Sequence, residues 1–239
     1  MFPDSFVTGS PPRAARWWRA LAAGLAGLAF APAIDASASA ALEAMVVDAK
    51  GGSVADAVVS LHPLPGTALP PAGPVRPQVM DQRGLRFVPH VLAVATGTPV
   101  SFPNSDRVRH HVYSFSPAKR FELRLYAGRS QLPVVFDAPG LVTLGCNIHD
   151  WMLGFIYVVD SPWFAVSDAE GKARVPAAPG SYEARIWHPL IEGGEPRGMG
   201  RVTLGDGGGR ERYAVALRPA ERIFEPPTEL EDKFSRFRK

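Results

Sequence analysis

The chain has 239 residues, 46% hydrophobic and 21% charged, which excludes disorder throughout and leaves room for one large or two small domains. Its 23 glycines and 24 prolines exclude an all-helical fold, because proline at that density interrupts helices, and favour strands joined by many turns. The formal charge of +3 is small and no Lys/Arg block occurs, so no nucleic-acid partner is expected despite a pI of 9.2.

Residues 1–38 read as a secretory signal. Arg13, Arg16 and Arg19 precede a 14-residue apolar stretch, Ala20 to Ala33, too short to span a bilayer comfortably. Ala36-Ser37-Ala38 and Ala38-Ser39-Ala40 are small-x-small cleavage sites. An uncleaved anchor is the alternative, with Trp17 and Trp18 at its membrane edge. No second apolar run of spanning length follows, so no stable membrane span is expected after cleavage. Cleavage after Ala38 leaves 23 basic and 21 acidic residues, a net +2, in a periplasmic chain.

From residue 41 onward the pattern is strand and turn. Met45 to Asp48, the turn Lys50-Gly51-Gly52 and Ala57 to Leu61 predict strand, turn, strand. Six prolines between positions 63 and 77 predict a linker, which closes an N-terminal β segment over 41–74. The second block, 75–160, carries short strands at Val79–Gln82, Phe87–Pro89, Val91–Val94, Pro99–Phe102 and Arg109–Ser114. Phe121–Leu125 alternates apolar and charged residues, and Pro133–Phe136, Leu141–Cys146 and Phe155–Val159 complete the block. Strands at this spacing predict a β-sandwich or barrel. In the third block, 161–220, Tyr182, Ala184 and Ile186 share one strand face, and Trp163 with Phe164 is expected to seal the junction between modules. Residues 221–239 read as a charged, solvated tail.

The chain has one cysteine, Cys146. It can form no internal disulfide and no four-thiolate metal site. A lone thiol in an oxidising compartment calls for an occupant. Cys146-Asn147-Ile148-His149-Asp150-Trp151-Met152 supplies one as C-x2-H-x2-M: a thiolate, an imidazole and a thioether within one short loop. A second imidazole is available from His110 or His111. Neighbouring side chains on a strand point to opposite faces, so only one of the two can reach a given site, and burial alone does not choose between them. Two imidazoles, a thiolate and a weak thioether are the donors of a mononuclear blue-copper site.

The spacing of Cys146, His149 and Met152 resembles the short ligand loop of amicyanin, a cupredoxin. Phe102-Pro103-Asn104-Ser105-Asp106 followed by His110-His111-Val112 resembles the plastocyanin-type segment that carries the first copper histidine. Phe87-Val88-Pro89 and Phe136 to Gly140 resemble early strands and a turn of the same family. The resemblance covers residues 75–160 and implies an all-β, Greek-key cupredoxin sandwich. It also implies copper held by His110, Cys146, His149 and Met152. Asn104, His111, Asn147 and Trp151 then stand around the ligands or on a partner-facing surface. His111 stands where the family often has an asparagine, and Asn147 where it commonly has a small hydroxyl residue; these departures bear on potential more than on metal identity. Residues 41–62 and 161–190 resemble the two ends of a carboxypeptidase regulatory-like β-sandwich, a second sandwich into which the copper module is inserted. The layout also resembles exported proteins named for methylamine utilisation.

Trp151 has two readings, packing or an exposed aromatic where a redox partner docks. His62, His90 and His188 are scattered and are not taken as ligands, and Asp81, Asp106 and Asp150 read as turn or surface residues. The implied function is periplasmic electron transfer between a donor and an acceptor protein. A copper carrier without a redox role and a structural β-sandwich binding protein are the competing classes. An enzyme is not expected: multicopper oxidases need several His-x-His pairs, and a binuclear thiolate-bridged centre needs two cysteines. Zinc matches a lone thiolate with a thioether poorly.

Overall fold

The computed structural model describes residues 40–69, 75–128 and 132–219. The export segment over 1–38, the linker prolines at 70, 71 and 74, and the tail over 221–239 lie outside the described residues. Every regular element among the described residues is a strand.

The first segment supplies β1 (Ala41–Asp48) and β2 (Val58–Pro63). The middle one supplies β3 (Gln78–Val79), β4 (Asp81–Gln82), β5 (Phe87–Val88), β6 (Val91–Ala95), β7 (Thr98–Ser101) and β8 (His110–Ser116). It continues through β9 (Lys119–Tyr126), β10 (Val134–Phe136), β11 (Gly140–Cys146) and β12 (His149–Val159). The last one holds β13 (Trp163–Val166), β14 (Lys172–Pro176), β15 (Gly180–Trp187), β16 (Arg197–Leu204) and β17 (Gly209–Val215).

The expected strand, turn and strand are present at the start, and the two strands do not pair with each other. β1 lies between β14 and β17, while β2 lies between β13 and β15. The cause is legible in β2: Val58, Val59, Ser60 and Leu61 are buried in succession, so both strand faces need cover and both edges need neighbours. The sheets β14-β1-β17 and β13-β2-β15-β16 share a core that includes Leu42, Val46, Leu61, Val175, Tyr182 and Ile186. Tyr182, Ala184 and Ile186 lie on one buried face, as their alternation predicts. Trp163 corrects the junction assignment. It enters this core, its ring edge-on to Tyr182 at 5.0 Å, and Phe164, its neighbour on the opposite strand face, packs at the junction instead.

In the middle block the five-stranded sheet β6-β12-β11-β8-β9 and the smaller sheet β10-β7-β3 enclose a second core. β8 and β11 are neighbours although β9 and β10 separate them in sequence, with β10 crossing to the other sheet; this is a Greek-key path. Phe87, Phe102, Phe136 and Leu144 are fully buried here, each worth about 1.5–3 kcal/mol over exposure. At the end of β9 the alternation fails: Leu125 is exposed, because the pairing with β8 shifts between His110 and Val112. Val58, Val91, Phe155, Trp187 and Ile191 join the two cores.

Candidate metal centre

β11 alternates so that Val142, Leu144 and Cys146 face the middle core, and all three are buried. Regular pairing with β12 runs as far as Gly145 opposite Leu153, and then the register slips. The chain reverses through Asn147 and Ile148 and sets His149 directly opposite Cys146. The spacing C-x2-H is therefore a two-residue turn with its flanking pair facing each other. Asp150, Trp151 and Met152 are interposed by the slip, a bulge beside the turn. Met152 is fully buried in the same cluster as Cys146. Gly145 has a packing reason: a Cβ there would stand 2.7 Å from the ring of Tyr113 on the neighbouring strand.

β8 decides between the adjacent histidines. Its buried set is His110, Val112 and Ser114. His110 is 0% exposed, and its Nδ1 lies 3.7 Å from Cys146 Sγ. His149 Nδ1 approaches the same sulfur to 3.6 Å, and the two imidazoles are 5.0 Å apart. One donor atom from each of these three residues falls within 4.8 Å of the others, a grouping able to hold a metal ion. His111 points the other way and sets its Nε2 2.9 Å from Glu122 Oε1. With Tyr113, Phe115, Glu122 and Asn147 it lines a surface cleft beside the site.

Burial by itself would raise the Cys146 thiol. The imidazole of His110 and the backbone N–H groups of His111 and Ile148 outweigh it and hold the thiol below its ordinary value. His110 is also opposed by burial, yet Cys146 and Asp106 raise it. His149 is lowered, first by burial and then by the charge of His110. The cluster thus favours charge on Cys146 and on His110 together and keeps His149 toward its neutral form; a metal would take the place of the proton between sulfur and ring.

The remaining residues take varied places. Asn104 is buried; its Nδ2 donates to the carbonyls of Val108 and Tyr126, both at 2.9 Å, which shapes the loop leading to His110. Asn147 ties the two site segments through its backbone, with its N–H donating to the His111 carbonyl at 3.3 Å. Trp151 is half-buried against the middle core, 5.3 Å from the His149 ring, so packing prevails over an exposed aromatic.

Asp106 is the correction. It is no bystander of a turn: its Oδ2 stands 2.9 Å from His110 Nε2. Burial would raise its carboxyl, but His110 and the N–H groups of Leu85 and Gly84 bring it below the usual range. Its place four residues before His110 was the only trace in the sequence, and the turn at 84–85 that completes its setting is remote along the chain.

No family model and no curated protein matches this sequence. Among solved structures, the chain is similar to a purple cupredoxin from Nitrosopumilus maritimus, with 22% identity over 35% of this chain and 100% of that one (TM-score 0.31). It is also similar to an amicyanin variant in its reduced Cu(I) form, with 17% identity over 42% of this chain and 98% of that one (TM-score 0.32). A copper-containing nitrite reductase from Thermus scotoductus SA-01 aligns at 24% identity over 39% of this chain and 25% of that one (TM-score 0.33).

Proposed function

We propose that this chain is a mononuclear type 1 copper protein of the cupredoxin kind, which passes single electrons between a donor and an acceptor protein in the periplasm. One observation carries the reading: Nδ1 of His110 and Nδ1 of His149 converge on the buried Cys146 Sγ at 3.7 and 3.6 Å. The donor set fits copper. A thiolate suits Cu(I), imidazoles suit both oxidation states, and the thioether of Met152 lies in the same buried cluster. Copper bound by these residues supplies a one-electron Cu(I)/Cu(II) couple.

The protein's part is to prepare and enclose the donors. The lowered Cys146 thiol is ready to bind as thiolate. Cys146 and His110 are shut off from water, while the half-buried His149 reaches toward the surface and is the path by which an electron leaves. The signal-like pattern of residues 1–38, three arginines before a short apolar run and small-x-small sites, supports a role outside the cytoplasm.

The test is to load the purified protein with Cu(II) and record visible and electron-spin-resonance spectra. An intense thiolate-to-copper band, lost in Cys146→Ser, is the expected result. A colourless protein that holds only Cu(I) would replace electron transfer with copper carriage. Binding of neither ion would sink the copper reading.

A further inference from the structure

We propose that Asp106 is a positioning residue for His110: its carboxylate holds the imidazole with Nδ1 facing Cys146, and its charge favours the oxidised state of bound copper. The inference rests on the copper reading for its second half only.

The carboxylate is built in from several sides. Its Oδ1 accepts the Gly84 N–H at 2.7 Å and its Oδ2 the Leu85 N–H at 3.0 Å. Its own backbone N–H donates to Asn104 Oδ1 at 3.0 Å. The donating turn is unusual: Gly84 has φ +64° and Leu85 has φ +58°. A leucine in the left-handed region costs about 1–3 kcal/mol and persists where surrounding contacts demand it. Here the twisted backbone aims two successive N–H groups at one anion, a small nest. The Asp106 side chain is 13% exposed and that of His110 is 0% exposed, so the contact between them is shielded from solvent.

The consequence for His110 follows from its two ring nitrogens. A carboxylate accepts, so Nε2 opposite Asp106 is the donor, and Nδ1 is the nitrogen turned to Cys146 and free to bind a metal there. A ring so held cannot flip its nitrogens without giving up the charged hydrogen bond from Nε2 to Asp106. The same negative charge, separated from the metal position only by the imidazole, stabilises the higher positive charge of the oxidised ion and makes the ligand more basic. Sequence reading had no access to this, because the Gly84–Leu85 turn and Asp106 meet only in the fold.

The test uses Asp106→Asn, which can still accept from Nε2 but is neutral, together with nitrogen-correlated NMR of the metal-free wild-type protein. In the metal-free protein the His110 proton is expected on Nε2, with slow solvent exchange. A proton on Nδ1 with none on Nε2 overturns the positioning role; a ring protonated at both nitrogens keeps the Nε2 donor to Asp106 and upholds it. With copper, the variant is expected to keep its thiolate-to-copper band while its Cu(II) affinity falls about ten-fold relative to Cu(I), an upward shift of about 59 mV. An unchanged potential with the band retained overturns the charge role. Failure of the wild type to take up copper strikes the copper reading instead, and the NMR result on the metal-free protein still decides the positioning role.

Discussion

Cys146 faces His149 across a two-residue turn, their sulfur and Nδ1 3.6 Å apart. The contact depends on turn length, because an added residue moves His149 out of register with Cys146, while the bulge over 150–152 absorbs the shift before the regular pairing begins at Leu153. Inserting a glycine between Asn147 and Ile148 is therefore expected to abolish the thiolate-to-copper band. Circular dichroism should show the strand content intact, since Gly145 to Gly140 remain paired with β12. A band of unchanged intensity would mean that the turn does not control the site.

The two histidines differ in what their loss leaves behind. His110→Ala removes a fully buried ring and one of the donors to the Asp106 carboxylate, a charged hydrogen bond worth about 1.5–3 kcal/mol. His149→Ala trims a half-buried residue at the start of β12. Without metal, His110→Ala is expected to melt several degrees below His149→Ala, at roughly 2–4 °C per kcal/mol for a chain of this size. Differential scanning calorimetry of the two metal-free variants checks the order.

Gly154 on β12 is a packing requirement. An alanine Cβ there would lie 2.7 Å from Phe87 Cβ and 2.9 Å from two of its ring carbons. Phe87 is fully buried, so a strand must shift. Gly154→Ala is expected to cost about 1–3 kcal/mol in a denaturant titration. Because the closest approach is to a Cβ, adding Phe87→Leu is not expected to restore the loss.

Stability should fall toward acid through His188. Burial holds its imidazole below the ordinary 6.5, and its Nδ1 accepts the Leu190 N–H at 3.0 Å. A histidine lowered in the fold contributes stability that is present above 6.5 and is lost as pH falls through the folded value. Melting temperature should therefore drop between pH 7 and pH 5, and less so in His188→Asn, whose amide oxygen can accept the same N–H.

The alkaline side carries the opposite sign. Tyr126, Tyr157 and Tyr213 are pushed up to about 12, in each case first by burial. Their contribution is complete below the ordinary value of 10.0 and is lost as pH rises toward about 12. Absorbance at the phenolate band should show these three rings ionising together with unfolding. Ionisation near pH 10 in a folded protein would contradict their burial.

What the sequence determined by itself is local. Strand alternation marks Tyr182, Ala184 and Ile186 as one face and Leu144 with Cys146 as another, because a two-residue period needs no partner to be read. The loop from Cys146 to Met152 is equally legible, since its members are brought together by one turn. That His110, implied by the resemblance, rather than His111 faces the sulfur is decided in the fold, because β8 pairs Val112 with Cys146 and buries the face that carries His110, Val112 and Ser114. The tertiary structure alone set β1 between β14 and β17, and β2 between β13 and β15, where the local pattern showed only strand, turn and strand. And it alone made Asp106 a partner of His110, because the N–H groups that hold the carboxylate belong to a turn near residue 84. Contacts between segments far apart in the chain are chosen by packing and register, to which local propensity is blind.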